Sequence, residues 1–240
     1  MDRDNNNIKL DISEHGRLKD GTRISLDRRL FIQFLAFGNC QDTGQIIDIL
    51  KSEGIDGALY LDINDPYGIG LLIMNEDPSY FTGVLRDVLS TDPFSDLKHK
   101  PEYTMLGRTY SFGYEPDLEA TLVHGPRKKI LDSDWKWAIW YPLRRTKIFE
   151  RLPEDEQRSI LGEHGKVGFK FGEAGYARDI RLACHGLDKN DNDFVIGVLG
   201  KELYPLSAVI QAMRKTRQTS EYLDSLGPFF IGQVTWQSKI

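Results

Sequence analysis

The chain has 240 residues, 40% of them hydrophobic and 28% charged, which is ordinary for a globular protein of one large domain or two small ones. The net charge of −5 gives no support to a nucleic-acid partner, and no apolar stretch approaches the roughly 20 residues that a membrane-spanning helix needs. Cys40 and Cys184 are too few for a disulfide framework or a zinc cluster, so we expect a soluble cytoplasmic protein without a membrane partner.

The first half of the chain shows a β-α-β-β-α-β order of elements. The predicted strands cover residues 29–38, 57–63, 69–74 and 103–114. Asp42 and Thr43 offer an N-cap for the first helix, and Pro78 precedes a second helix whose apolar residues recur at i, i+3, i+4 and i+7. This order is that of a ferredoxin-like module.

The second half repeats that order. Its predicted strands cover residues 137–145, 179–185, 194–199 and 229–236. Pro153 suits the first position of one helix, and Glu154 and Asp155 favour its positive N-terminus. Gly165 predicts the end of this helix, and Pro205 predicts the start of the next.

Two landmarks relate the halves by one constant offset. Gly70 corresponds to Gly197, since 197 − 70 = 127, and Pro78 corresponds to Pro205, since 205 − 78 = 127. A repeat without slippage predicts an α+β fold of two ferredoxin-like halves that pack back to back or close into a barrel.

The predicted organisation has four parts. They are an N-terminal extension over 1–28, whose first seven residues form a polar tail, a first half over 29–114, a linker over 115–134 and a second half over 135–240. We interpret the basic cluster Arg127–Lys129 in the linker as a short solvated turn.

Among the five histidines, His164 has the most informative surroundings. It shares a helical face with Ile160 and Leu161, so its ring points towards the interior. A neutral imidazole in such a place can bind a metal or haem iron. The alternative is a histidine at the edge of the core that is bonded to a backbone carbonyl.

Two further groups of residues are candidates for binding. Tyr141 precedes Pro142, where the strand must end, bulge or lie at an edge, and Arg144 and Arg145 follow beside an aromatic surface. Arginines of this kind bind carboxylates, although a solvated strand end explains them as well. His185 ends another strand and is equally explained as a turn residue.

The second half resembles the chlorite dismutase and coproheme decarboxylase superfamily of haem-binding proteins. The segment Tyr141–Arg145 is similar to the Tyr-Pro-Met-x-Lys stretch of coproheme decarboxylases, and Leu152–Gly165 resembles the helix that carries the family's proximal haem histidine. Gly186–Phe194 resembles a family hairpin with two extra residues, and Met213–Gly232 resembles the last helix and strand. The resemblance covers residue 137 to the end; in the first half only the order of elements matches.

This resemblance implies roles for individual residues. His164 takes the place of the axial ligand to haem iron, and Tyr141 that of the tyrosine radical in oxidative loss of a propionate carboxylate. Arg145 takes the place of the lysine beside that propionate. Arg178 falls at the distal position, where a guanidinium would hold or polarise an oxidant, with Asp179 as the alternative one residue on.

The sequence also departs from the family pattern. The glutamate that binds the proximal histidine should fall near Arg217, which carries the opposite charge, and Glu221 is close in sequence. Arg145 does not readily give up a proton as lysine does. His185 has no counterpart in the pattern, which leaves open a distal base, a second ligand or no role.

We therefore predict a haem-dependent oxidoreductase that acts on peroxide or a related small oxidant, with a b-type or coproporphyrin haem. Propionate-side contacts would come from Tyr141, Arg144 and Arg145. The alternatives are a coproheme decarboxylase and a non-enzymatic member that has lost haem and kept the scaffold. The resemblance also implies a ring-shaped homo-oligomer, with a pentamer as the expected size.

Overall fold

A computed structural model describes residues 10–239, so the predicted polar tail over residues 1–7 lies outside the described part of the chain. The strands are β1 Glu14–Arg17, β2 Arg23–Leu26, β3 Phe31–Gly38, β4 Gly57–Asp62, β5 Ile69–Asn75, β6 Lys98–His99, β7 Met105–Arg108, β8 Trp137–Arg145, β9 Arg178–Ala183, β10 Phe194–Gly200, β11 Leu223–Leu226 and β12 Phe230–Gln237. The α-helices are α1 Thr43–Ser52, α2 Ser79–Thr82, α3 Val84–Leu89, α4 Gly125–Ile130, α5 Glu154–Glu173, α6 Leu203–Met213 and α7 Arg217–Glu221.

One antiparallel sheet contains strands from both halves. Its order is β10-β9-β7-β3-β5-β4-β12-β8, and β8 pairs again with β10 along seven residue pairs, so the sheet closes on itself. The seam between β7 and β9 is short, with Arg108 opposite Ala183 as its one registered pair among the described residues. The predicted α+β fold of two ferredoxin-like halves is confirmed, and the halves close into a barrel.

The two landmark glycines occupy equivalent places inside the barrel. A Cβ atom on Gly70 would lie 2.5 Å from the rings of Phe34 and Phe230, and one on Gly197 would lie 2.4 Å from the ring of Trp140. In each half an aromatic side chain from another strand therefore rests directly on the glycine backbone. This close approach is the physical reason for the repeated glycine.

Strand residues alternate between the barrel interior and two outer layers of helices. The interior is filled by large side chains such as Phe34, Tyr60 and Trp140. Outside, α1 and α3 cover the first half, and α5 and α6 cover the second. On β8, Trp140 faces the interior while Ile139 and Tyr141 face the helices.

The linker is more ordered than its sequence predicted. A π-helix over Ala120–His124 leads into α4, and both bury apolar residues in the barrel core. Arg127 Nε lies 2.7 Å from Asp56, and Lys129 Nζ donates to the backbone carbonyl of Asp179 at 3.0 Å. The prediction of a solvated turn over Arg127–Lys129 is therefore wrong, because both side chains tie the linker to the barrel.

Two predicted boundaries are also wrong. The strand predicted over 103–114 shortens to β7. The helix predicted to end at Gly165 continues to Glu173, and the residue with left-handed backbone that follows it is Gly175, at φ +72°. His164 therefore lies in the middle of a 20-residue helix. None of the helices in residues 10–239 combines the length and apolar character that a membrane crossing requires.

Candidate functional site

His164 faces the second half of the sheet from the middle of α5. It shares that face with Ile160 and Val167, which pack inwards. Its Nδ1 lies 3.0 Å from the hydroxyl of Thr216, and within the described chain Nε2 has no hydrogen-bond partner. The partner is thus a hydroxyl, and the carbonyl-bonded alternative does not apply.

Burial, with the guanidinium groups of Arg145 and Arg181 nearby, lowers the pKa of His164 to about 4. The imidazole is therefore neutral at ordinary pH, the form in which histidine binds metals. Among the described residues no three His, Cys, Asp or Glu side chains cluster to hold a bare metal ion. A metal bound to His164 would have to bring its other ligands with it.

Tyr141 lies on the same side of the sheet, on β8. Its ring stacks on Phe229, with centroids 4.5 Å apart and planes 27° from parallel. Burial raises the pKa of Tyr141 above its usual value, and its hydroxyl makes no hydrogen bond to any residue in the described part of the chain. The hydroxyl is therefore protonated at neutral pH and available to a ligand on this face.

Arg145, four residues after Tyr141 on β8, has an unusual environment for a cation. Its guanidinium lies 4.6 Å from the ring centroids of both Phe149 and Phe194. Within residues 10–239 its Nε is buried without a hydrogen-bond partner, and the carboxylate of Glu150 is 3.9 Å from the guanidinium. An anionic group reaching this site would satisfy the unbonded donor.

The predicted distal residue Arg178 is not part of this group. It pairs with Asp132 at 2.8 Å and lies 4.0 Å above the ring of Trp135. Along β9 it alternates with Asp179 and shares its side with Ile180, which packs into the barrel interior. The choice of Arg178 is therefore corrected by the parity of the strand.

Asp179 and Arg181 lie on the side of β9 that faces His164. Arg181 Nε is 2.9 Å from Asp179 Oδ2, and the guanidinium lies 4.7 Å from the ring of Phe112. Asp179, the alternative given for the distal position, thus lies on the face of His164, together with Arg181, which was not among the predicted residues. Apolar and polar residues alternate along this predicted strand, and this alternation could have placed Arg181 on the face of His164.

Two other candidates have polar partners of their own, although the ring of His185 also packs against Phe194 beside Arg145. Arg144 alternates with Arg145 on β8 and is held by Asp224 at 2.9 Å and by the carbonyl of Asn190 at 3.2 Å. His185 is exposed in the turn after β9, where Nδ1 is 3.5 Å from Asp193. Arg144 is thus bonded to other residues of the protein. His185 lies in a turn, which was the alternative explanation of this residue in the sequence.

The first half contributes side chains to the site, which the sequence did not predict. Tyr110, just after β7, is largely buried against Phe194, and its pKa is raised by that burial. A cavity of about 220 Å³ opens here. Its polar lining includes Thr109, Tyr110, Thr121, Lys129, Asp179 and Arg181.

The family model for chlorite dismutase matches residues 67–235, which is well over half of the chain. The chain belongs to the chlorite dismutase family. No curated protein sequence is similar enough to be counted as a relative.

Solved structures of similar fold include a haem-binding protein and a chlorite dismutase. A haem-binding protein from Thermus thermophilus aligns at 15% identity and a TM-score of 0.68, over 86% of this chain and 91% of that one. A chlorite dismutase variant from Candidatus Nitrospira defluvii bound to cyanide aligns at 15% identity and 0.67, over 88% and 92%. The imidazole complex of that enzyme aligns at 14% and 0.65, over 88% and 93%.

This member of the chlorite dismutase family departs from the expected pattern beside His164. Arg217 does not bond to the imidazole. Its guanidinium pairs with Glu156 at 3.3 Å and with Glu221 at 3.4 Å. Thr216, one residue earlier, is the side chain that reaches Nδ1.

Proposed function

We propose that this protein binds a haem, of the b type or a coproporphyrin haem, on the helix-covered face of its second half. It then acts as an oxidoreductase on peroxide or a related small oxidant. The observation that carries the proposal is the neutral imidazole of His164, whose Nδ1 is bonded and whose Nε2 is free, opposite two guanidinium groups.

His164 would be the axial ligand through Nε2. A single imidazole is the ligand that many haem proteins use, since the porphyrin supplies the other four nitrogens. The absence of a three-residue metal cluster in residues 10–239 agrees with this ligand set. A bound haem would supply the electron exchange with an oxidant, which the side chains of this site do not provide.

Arg145 would bind a haem propionate. Its guanidinium contacts the rings of Phe149 and Phe194, and its Nε lacks a partner in residues 10–239. A carboxylate would satisfy that donor and offset the cost of burying the charge. Arg144 is already bonded to Asp224 and Asn190, so we do not give it this role.

Arg181 would carry the distal electrostatic role that the sequence suggested for Arg178. Its charge lies on the face of His164, and Asp179 orients it at 2.9 Å. A fixed guanidinium holds an anionic oxidant and stabilises negative charge that develops as an oxygen bond breaks. Tyr110 and Lys129 line the cavity of about 220 Å³ that Arg181 also lines, and its size would limit the oxidant to a small molecule.

Entry of a porphyrin would require movement of the covering elements. The structure has a cavity of about 220 Å³ beside Arg181 and another of about 370 Å³ lined by Ile139, Ile210 and Phe229, and His164 is not among the lining residues of either. We expect α5 and the segment around Tyr110 to move apart when haem binds. A change in amide hydrogen exchange in both segments after haem addition would support this.

Coproheme decarboxylation is the second candidate function. Tyr141 favours it, because the unbonded hydroxyl lies on the same sheet face as Arg145. Arg145 weakens it, because a guanidinium is a poor proton donor. Coproheme and peroxide, followed by mass spectrometry, separate the two: stepwise loss of carboxylates indicates the decarboxylase, and an intact macrocycle excludes it.

The first test is a visible spectrum of the purified protein with added haem. We expect a Soret band that shifts on binding, and we expect His164→Ala to lose the iron–imidazole spectrum. The exposed His185 provides the matched control, since His185→Ala should leave that spectrum unchanged. A protein that takes up no haem would instead support the non-enzymatic scaffold. The expected ring-shaped homo-oligomer, a pentamer by resemblance, is tested separately by light scattering.

A further inference from the structure

Thr216 connects His164 to the end of α6. Its side chain is 3% exposed, and its Oγ1 lies 2.7 Å from the carbonyl of Met213 and 3.0 Å from His164 Nδ1. A second hydroxyl, that of Thr219, is farther away at 3.5 Å. The threonine hydroxyl therefore stands between a carbonyl and an imidazole.

These two contacts fix where the protons lie. A carbonyl can only accept, so the single hydroxyl proton of Thr216 is donated to Met213. The hydroxyl oxygen can then only accept from His164, and Nδ1 must carry the proton. The lone pair of the neutral ring is thus on Nε2, the nitrogen without a hydrogen-bond partner in residues 10–239.

The position of Thr216 does not require its hydroxyl for helix capping. Thr216 is the N-cap residue of α7, yet its side chain makes no capping hydrogen bond. The backbone carbonyl of Thr216 accepts from the N–H groups of Thr219 and Ser220 instead. The Thr216 hydroxyl therefore bonds to the Met213 carbonyl and to His164 and not to the helix N-terminus.

We propose that Thr216 is a positioning residue, which holds His164 in the Nδ1-protonated tautomer and makes it a weaker electron donor to a metal on Nε2 than a carboxylate partner would. This rests on the proposed haem function. A carboxylate at Nδ1 attracts the ring proton and makes the imidazole electron-rich, whereas a hydroxyl whose own proton is given to a carbonyl does so only weakly.

The neighbouring charges agree with a weak donor. The two carboxylates near this corner, Glu156 and Glu221, are both engaged by Arg217. From the sheet, Arg145 and the ion pair of Arg181 with Asp179 face the imidazole, and the two guanidinium groups outnumber the one carboxylate. Cleavage of an oxidant would then depend on the cations of the distal side more than on electron donation by His164.

The test compares four variants in the haem-loaded protein. Thr216→Val has nearly the same shape and cannot bond to Nδ1, and Thr216→Ala repeats the loss with a smaller side chain. Thr216→Ser keeps the link, and Thr216→Glu supplies a carboxylate. The readouts are the iron–histidine stretching frequency in the ferrous resonance Raman spectrum, the midpoint potential and the haem affinity.

We expect Thr216→Val and Thr216→Ala to lower the stretching frequency and to weaken haem binding by about 10- to 100-fold. Thr216→Ser should match the parent protein, and Thr216→Glu should raise the frequency and lower the midpoint potential. Thr219→Ala is the control and should change none of the three, because its hydroxyl lies 3.5 Å from Thr216.

An unchanged frequency and affinity in both Thr216→Val and Thr216→Ala would overturn this proposal, provided that His164→Ala still loses the axial ligand. A His164→Ala protein that keeps its iron–imidazole spectrum would instead overturn the proposed haem function. The two failures are therefore distinguishable. Circular dichroism of each variant confirms that the fold is retained.

Discussion

The helix-covered faces of the two halves have the same framework and opposite chemistry. In the first half, Ile69 pairs with Phe37 and Leu61 across the sheet. In the second half Ile196, which lies 127 residues later, pairs with Tyr141 and Arg181. Phe37 of the first half thus corresponds to Tyr141 of the second half, and Leu61 corresponds to Arg181.

The next register position repeats the contrast. Leu71 pairs with Leu35 and Leu59, all of them in the apolar layer under α1 and α3. Its counterpart Val198 pairs with Ile139 and Asp179. One module therefore has an apolar residue at all three positions, and the other has the carboxylate of Asp179 at one of them.

The covering helices differ in the same sense. The ten-residue α1 buries Ile46 and Leu50, whereas the 20-residue α5 buries only Ile160 among its described residues. A helix that buries little apolar surface is held less tightly to its sheet. Under the proposed function, the first half stabilises the barrel and the second half offers its helix-covered face to the ligand.

The largest expected effect comes from placing the polar residue of the second half in the first. Leu59 is fully buried, so Leu59→Asp leaves an unpaired charge in an apolar layer and should lower the free energy of unfolding by about 3–5 kcal/mol. The reciprocal Asp179→Leu removes an exposed ion pair and should change it by less than about 1 kcal/mol. Urea unfolding followed by circular dichroism measures both. Equal losses in the two variants would contradict the contrast between the faces.

A pH dependence should distinguish the second half next. The pKa of His164 is about 4 in the folded protein, below the roughly 6.5 of an unfolded chain. Below pH 6.5 the unfolded state takes up a proton that the folded state does not. The haem-free protein should therefore lose about 2–3 kcal/mol of stability as the pH falls from about 7 to 4.

The variant His164→Leu isolates this effect, since it gives α5 an apolar residue as in α1. Unfolding curves at several pH values should show a shallower fall in stability below pH 6.5 for the variant than for the parent protein. Parallel pH profiles for the two proteins would show that His164 does not carry the dependence.

Local signals made most of the fold predictable. The prolines at the 127-residue offset indicate helix starts, which depend on neighbouring residues, and the glycines at the same offset revealed the repeat. Gly165 gave a false helix end, because packing of α5 against β9 and α6 overrides a single glycine in a long helix. The left-handed stop came only at Gly175.

The site was harder to predict, because strand parity and distant contacts decide it. Periodicity and resemblance predicted His164 and Arg145. The prediction of Arg178 depended on a register between it and Asp179, and a shift of one residue moves a side chain to the other face of a strand. Tyr110 reaches the site through the seam between β7 and β9, which no local pattern reveals. Thr216 lies next to the position where the family glutamate was expected.

The smallest effect tests whether the two halves share one geometry despite their different faces. Gly70→Ala and Gly197→Ala should each lower the free energy of unfolding by about 1–3 kcal/mol, because the new methyl group meets an aromatic ring at about 2.5 Å or less. Gly162→Ala is the control, since a Cβ there meets no atom within 4 Å inside α5, and it should raise stability by up to about 1 kcal/mol. A loss at Gly70 without one at Gly197 would mean that the barrel interior, as well as the outer face, has diverged between the halves.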